Sequence, residues 1–377
     1  MCGRYRTTRI YRGDGLSVEP PQIIINGKFI PEGPTGVHRV GHELLRAIDG
    51  IAGDGLPRFE ALVPPGAPLP AALPAIPLRP AGKRRGQLWE QIDLPRAAHG
   101  RLILSLCNLA PIATRNAVTM IHDAQVFITP ESYSRAFRTW YRFVLRQAGR
   151  RHRRILTVSH FSKAQLVHYG IAPAERIEVI HNGVDHILRV AADATAIARL
   201  GLEPRRYAVA LANTQKHKNI ALLLQAFARP EMAGLKLVLV GGARQQDFEA
   251  LGHHVPANTV FAGPASDAAL RGLIEQALCL CFPSLTEGFG LPPVEAMLLG
   301  CPAMIAPRGA LPEVCGSAAL TADPDDPAAW SAGLLALAAD PAHWTDRSEA
   351  GRRHAADFTW DRAARRLLAV LADGSRQ

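Results

Sequence analysis

No stretch of this sequence holds the ~18 consecutive apolar residues that a bilayer crossing needs, so no membrane-spanning helix is expected. The segment Met1–Asp14 carries four arginines and no hydrophobic stretch behind them, which is not the pattern of a secretory signal. Cysteine is sparse: Cys2, Cys107, Cys279, Cys281, Cys301 and Cys315 are all there are. Zinc sites built on Cys-x2-Cys need paired spacings that these six do not offer, so the thiols are expected to be free in a reducing compartment. Cys279 and Cys281, two apart in an apolar run, would share one face of a strand. Gly-x-Gly-x-x-Gly is absent, which argues against a nicotinamide or flavin dinucleotide site. No internal repeat of fixed period is present. Disorder throughout is excluded by the 48% of apolar residues.

Positive charge, by contrast, is abundant. Lys+Arg number 43 against 33 Asp+Glu, a balance of +10 with a pI near 9.7. Such a balance attracts anionic partners: nucleic acid, a membrane surface or phosphorylated substrates. It is unevenly placed. Residues 1–188 hold 25 basic and 14 acidic side chains, whereas the remainder holds 18 and 19.

A chain of 377 residues suggests two domains at roughly 100–200 residues each. Short apolar runs alternate with longer amphipathic stretches. Strands are expected at Ile23–Ile25, Arg101–Leu106, Val118–Ile121, Ile155–Val158 and Ile177–Ile180, then at Tyr207–Leu211, Leu235–Val240, Thr259–Phe261, Leu278–Phe282 and Ala303–Ile305. Helices are expected at Gly36–Ile48, Ser132–Arg150, Ser162–Tyr169, Asn219–Phe227, Asp267–Gln276, Pro293–Leu299 and Trp360–Leu371. This alternation implies an α/β fold with two Rossmann-like domains and parallel sheets facing a cleft. The expected division is residues 1–187, residues 188–357 and a terminal helix in 358–377, with the first ~20 residues an extension. The Pro- and Ala-rich stretch 64–80, followed by Lys83, Arg84 and Arg85, reads as a surface loop.

The most informative segment is PSLTEGFGLPPVEAMLLG, Pro283–Gly300, which follows an apolar strand. Glu287 heads a turn containing Gly288 and Gly290. Pro292 and Pro293 suit the start of a helix, with Glu295 expected in its first turn. The orphan amides and dipole of that helix would favour an anion in the cleft, and the glycines would let the backbone come close to it. Two carboxylates beside a backbone nest suit a ligand bearing both hydroxyls and phosphates. The acidic run Asp323, Asp325 and Asp326 does not follow a buried strand, and it reads as a loop rather than a metal motif.

Glu287 and Glu295 form a Glu-x7-Glu spacing, and the flanking EGFGLPPVEAM resembles glycosyltransferase family 4. Further segments agree with it: IHD at Ile121–Asp123, SHFSK at Ser159–Lys163, HNGVD at His181–Asp185, NTQKHKN at Asn213–Asn219, GALPEV at Gly309–Val314 and FTW at Phe358–Trp360. The resemblance runs from about Ile23 to Leu371 and implies the GT-B arrangement, with a C-terminal helix crossing back to the first domain. It implies a retaining, metal-independent glycosyltransferase that needs no cofactor beyond a nucleotide diphosphate sugar. It implies that Glu287 binds the donor sugar, assisted by the amides of Gly288, Phe289 and Gly290 before Leu291, and that Glu295 binds the ribose. Lys218 would contact the diphosphate, with Asn213 standing where many members carry a second cation. His122, emerging from its strand towards the cleft, would lie by the reacting centre, and Gly36 together with Gly33 by the donor phosphate. By resemblance alone the donor is expected to be GDP-mannose. The acceptor is expected to be a glycan, such as one linked to a polyprenyl diphosphate, in bacterial polysaccharide biosynthesis.

Arg135, Arg138, Arg142, Arg146, Arg150 and Arg153 fall within one arc of a helix, with Phe137, Trp140, Tyr141, Val144, Leu145 and Ala148 opposite, where they are expected to pack on the domain. This basic face is expected to meet an anionic membrane surface, which makes the enzyme cytoplasmic and peripheral to the inner face of the plasma membrane. Two alternatives compete: an epimerase or hydrolase of the same fold, and a nucleic-acid-binding protein. The first lacks identifiable additional cleft acids and histidines, and the second lacks aromatic stacking motifs and a recognition helix, so no nucleic-acid partner is expected.

Overall fold

The computed structural model describes residues 22–33, 35–51, 56–67 and 73–373. The N-terminal extension, Cys2 and part of the Pro- and Ala-rich stretch lie outside the described residues.

Two parallel sheets form the frame. The first contains β1 (Gln22–Asn26), β2 (Arg58–Val63), β3 (Leu78–Pro80), β4 (Leu102–Ser105), β5 (Ala117–Met120), β6 (Arg154–Thr157) and β7 (Ile177–Val179), in the order β3-β2-β1-β4-β5-β6-β7. The second contains β8 (Tyr207–Leu211), β9 (Lys236–Val240), β10 (Thr259–Gly263), β11 (Cys279–Phe282), β12 (Ala303–Ile305) and β13 (Leu320–Thr321), in the order β10-β9-β8-β11-β12-β13. The central strands are covered by helices on both faces. They therefore read as unbroken apolar runs such as QIIIN and CLCF rather than as alternating patterns. In both sheets the order reverses beside the first strand of the domain, which opens a crevice at the strands' carboxyl ends.

The differences from the sequence reading have local causes. Strand β2 begins with Arg58 and carries Glu60, and this polarity hides an otherwise buried strand. Strand β3 lies inside the stretch read as a loop; it is an edge strand, where Pro80 forfeits no ladder hydrogen bond. Two helices, Pro327–Ala339 and Pro341–Ala355, were not anticipated. Each starts with proline at its first position, and its cap, Asp326 or Asp340, accepts hydrogen bonds from the next amides. Asp326 thus serves as a helix cap, and Asp323 closes its own turn by accepting from the Asp325 amide at 2.9 Å.

The helix Trp360–Asp373 returns to the first domain and packs against the helix Gly36–Ile51. Trp360, Ala364, Leu367 and Leu371 are buried on one side, while Arg362, Arg365 and Arg366 face solvent. HNGVD makes this crossing possible. A Cβ on Gly183 would lie 2.2 Å from the Trp360 nitrogen, and the Asp185 carboxylate accepts from the Trp360 amide at 2.8 Å. No helix among the described residues is long and apolar enough to cross a membrane.

Candidate active site

On the second domain, β11 runs into the loop 283–290 and then the helix Leu291–Leu298. Gly290 takes φ 92°, a left-handed conformation that suits glycine, and turns the chain into the helix. Because the helix begins at Leu291 rather than at Pro293, Glu295 lies in its second turn, not its first. Lys218 ends the 3-10 turn Lys216–Lys218 after β8, and its Nζ lies 2.8 Å from Glu287 Oε1. The expected sugar-binding and diphosphate-binding side chains are thus paired with each other. The loop is buttressed by GALPEV: the Ala310 amide donates to the Glu287 carbonyl at 3.2 Å, and a Cβ on Gly309 would lie 2.7 Å from the Glu287 nitrogen. A cavity of about 320 Å³, lined by Leu211, Asn213, Lys218, Gly241, Phe282 and Ser284, opens at the carboxyl ends of β8, β9 and β11. The Asn213 carboxamide oxygen accepts from the Gln215 amide at 2.8 Å, so this side chain shapes the turn as well as lining the cavity. Lys216 is exposed on a neighbouring cavity of about 670 Å³, shared with Glu131 and Ser132 of the first domain.

On the first domain, His122 follows β5 at its carboxyl end, as expected, but the residue is only 5% exposed. Its Nε2 lies 2.8 Å from the Leu106 carbonyl, which can only accept, so Nε2 carries the proton and Nδ1 is left as the acceptor. Burial pushes its pKa down to about 4, so the ring is neutral at physiological pH. Asn108 fixes the backbone there by accepting from the His122 amide at 2.7 Å. Asp123, next in sequence, is the cleft acid that sequence reasoning did not single out. Burial, and then the charge of Glu287, push its carboxyl above the ordinary value. Gly36 is exposed at the start of its helix with open space where a Cβ would stand. Beside it lies a third cavity of about 250 Å³, lined by Asn26, His38, Cys107, Asn108 and Tyr141.

The two walls touch across the cleft. The Ser159 hydroxyl donates to the Gly288 carbonyl at 2.6 Å, and the Ser162 hydroxyl lies 3.1 Å from it. A Cβ on Gly288 would meet the His122 carbonyl at 2.6 Å, so glycine is needed there for domain contact. Phe289 is buried against Phe358, with ring centroids 5.8 Å apart, so only its backbone can serve a donor. Arg39 forks onto Asp267 with two contacts of 2.8 Å, a first-domain to second-domain pair 228 residues apart. Glu295 is 7% exposed, and His186 Nε2 stands 3.1 Å from its Oε1, out of line for a hydrogen bond. The Trp360 indole donates to His186 Nδ1 at 3.1 Å, which leaves the His186 proton on Nε2, facing Glu295. Arg39, Asp267 and His186 carry no local sequence signal, because only the fold brings them to the cleft.

The arginine helix, Arg135–Arg151, corrects the expected division of faces. Val144, Leu145 and Ala148 are buried as anticipated, but Phe137, Trp140 and Phe143 stand 44%, 38% and 47% exposed. Arg138 and Arg142 instead turn onto the domain. They donate to the Pro130 and Val126 carbonyls, and Arg142 and Arg146 lie over the Phe127 ring. Arg135, Arg150 and Arg153 are exposed. The free surface is therefore mixed, aromatic beside basic.

Comparison with known proteins agrees with this construction. Residues 194–354 match the glycosyl transferases group 1 family, and residues 37–187 match Glycosyltransferase Family 4. The O-antigen chain mannosyltransferase B of Escherichia coli is 31% identical over 67% of this chain and 68% of its own length. The MMP alpha-(1->4)-mannosyltransferase of Mycolicibacterium hassiacum is 32% identical over 62% of this chain and 57% of its own length. Among solved structures, the sucrose-phosphate synthase of Thermosynechococcus elongatus superposes with a TM-score of 0.72 at 18% identity, covering 94% of this chain and 98% of that one. HepE of Anabaena, in complex with UDP and glucose, superposes at 0.68 and 18% identity, covering 94% and 100%. These structures share the GT-B fold. With its paired parallel-sheet domains and its motifs in place on both walls of the cleft, this chain belongs to glycosyltransferase family 4.

Proposed function

We propose that this chain is a retaining, metal-independent hexosyltransferase that moves mannose from GDP-mannose to a glycan acceptor. The observation that carries the reading is the Lys218–Glu287 pair beside the Gly288–Gly290 turn and the start of a helix. A diphosphate sugar entering there would exchange that pair for two better-matched contacts. Lys218 would meet the diphosphate, and Glu287 would accept hydrogen bonds from sugar hydroxyls. The helix N-terminus adds its partial positive charge where the leaving group forms. Glu295 would take the ribose, with His186 Nε2 beside its carboxylate at 3.1 Å. These groups supply the charge stabilisation that other glycosyltransferases take from a metal. His122, neutral and donating through Nε2 to Leu106, is not placed to be the nucleophile. The reading favours attack on the same face as the departing diphosphate, which deprotonates the acceptor while the protein positions both. Mannose is favoured by the names of the two mannosyltransferase relatives.

The acceptor is assigned to the cavity beside His38 and Tyr141, and its glycan to a lipid carrier at the inner face of the plasma membrane. The exposed Phe137, Trp140 and Phe143 beside arginines support that placement, since aromatics and cations together suit a headgroup interface. The enzyme would then be cytoplasmic and peripheral. Thermal-shift screening with GDP-, UDP- and dTDP-sugars tests the donor. GDP-mannose should raise Tm in the wild type and lose that effect in Glu295→Ala. A larger shift with a UDP- or dTDP-sugar would overturn GDP-mannose, and no shift with any of them would overturn the donor site.

A further inference from the structure

Behind the cleft, where the two domains meet, SHFSK, HNGVD and GALPEV converge on a cluster that the transfer reaction does not use. His160 opens the helix His160–His168, His181 follows β7, and Glu313 comes from the helix Leu311–Cys315 of the second domain. Their ligating atoms all lie within 4.8 Å of one another. His181 Nε2 is already 2.8 Å from Glu313 Oε1, and the two imidazoles stand edge to face with centroids 5.8 Å apart. Glu313 is itself held: its two oxygens accept from the His160 and Phe161 amides at 2.8 and 3.0 Å. Burial opposes its charge, but the hydrogen bonds from His181 and from those amides outweigh it and keep the carboxylate ionised. The cluster opens onto a cavity of about 560 Å³, which gives a cation an entry path and room for water as a further ligand.

We propose that His160, His181 and Glu313 form a binding site for a zinc-like divalent transition-metal ion that fastens the two domains together. Two imidazoles and one carboxylate with an open fourth position suit a borderline-soft ion, whereas magnesium and calcium prefer all-oxygen shells. The amides on Glu313 supply the fixed outer contacts that such ligands use. Binding would replace the His181–Glu313 contact by a bridge holding two first-domain ligands to one second-domain ligand. That bridge sits on the same short helix whose preceding residues, Gly309 and Ala310, support Glu287. The site is independent of the donor reading, because none of its ligands touches Lys218, Glu287 or Glu295.

The test uses tag-free, chelator-dialysed protein titrated with Zn²⁺ and, for its visible absorption, Co²⁺. The wild type should bind one ion per chain, show a tetrahedral-type Co²⁺ spectrum and gain several degrees in Tm with Zn²⁺. His160→Ala removes an exposed imidazole, so the fold should be kept; His160→Ala and His181→Ala should each weaken Zn²⁺ at least ~10–100-fold and abolish the Co²⁺ spectrum. Affinity unchanged in both variants, an octahedral Co²⁺ spectrum, or no binding by the wild type at micromolar Zn²⁺ would overturn the site. Glycosyl transfer is not needed for any of these readouts, so failure of the mannose assignment would leave them intact.

Discussion

At the residue scale the central arrangement is a cation and a carboxylate paired in a partly buried cleft. Lys218 and Glu287 have side chains 26% and 12% exposed, so each shields the other while leaving a side open to ligand. Under the proposed mechanism Lys218 acts on charge that grows as the diphosphate leaves. Lys218→Ala should therefore lower kcat by ~10²–10³-fold, with a smaller change in KM. An equal loss confined to KM, measured by steady-state kinetics, would contradict that role. The buried histidines make a second prediction. His122 and His152 both have pKa values pushed down to about 4 by burial, below the ordinary 6.5. Each is held neutral in the fold, so its contribution to stability is complete above pH 6.5 and is lost as pH falls towards 4. Urea unfolding at pH 7, 6 and 5 should show stability falling, more between pH 6 and 5 than between 7 and 6, at a slope of at most about 1.4 kcal/mol per unit for each histidine. The slope should be shallower in His152→Gln, and an unchanged slope would refute the assignment. That His122 ends a strand at the cleft was legible from the apolar run before it. That its ring is tied to Leu106, 16 residues earlier, was not, because that contact depends on neighbouring strands.

At the element scale, legibility followed the strength of the local pattern. The unbroken apolar strands and the glycine-proline turn into Leu291–Leu298 declare themselves, since their periodicity and punctuation are local. Strand β2 did not, with Arg58 and Glu60 among its residues, and neither did the helices capped by Asp326 and Asp340. In the arginine helix, the arc of charge was legible but its orientation was not. Arginine guanidinium groups can lie over the face of an aromatic ring, as those of Arg142 and Arg146 do over Phe127, while Phe137, Trp140 and Phe143 stay outside. Under the proposed peripheral placement, this changes the expected mode of membrane binding from purely electrostatic to mixed. Trp140→Ser with Phe143→Ser should weaken partitioning to anionic vesicles by roughly tenfold or more. Binding should persist in part at high salt for the wild type but not for the double variant. Equal wild-type partitioning to neutral and anionic vesicles would rule out the basic contribution.

At the scale of the whole molecule, the charge asymmetry of the sequence maps onto two bodies. The basic excess lies on the domain that carries the arginine helix, and the near-neutral domain carries the Lys218–Glu287 pair. The polar contacts that hold the bodies in register include Arg39 with Asp267, Ser159 with Gly288, Gln125 with the Thr286 carbonyl at 3.1 Å, and Glu313 with His181 and the His160 and Phe161 amides. Arg39 also lies within electrostatic reach of Glu295, so under the proposed function the pair stands where a change in domain spacing would be felt at the donor pocket. Arg39→Ala should raise KM for the donor several-fold and enlarge the radius of gyration measured by small-angle scattering. An unchanged radius together with an unchanged KM would show that the pair is ornamental.

The returning helix Trp360–Asp373 has a consequence for how the protein is made. Its buried face covers the helix Gly36–Ile51, and Trp360 closes the line through His186 to Glu295. On the ribosome the first domain therefore emerges with an uncovered apolar groove and waits for almost the whole of the second domain to be translated before the cover arrives. Chaperone engagement, followed by ribosome profiling of chaperone-bound nascent chains, should concentrate in that interval, and under the proposed function nucleotide binding should be acquired abruptly once Trp360–Asp373 has emerged rather than domain by domain.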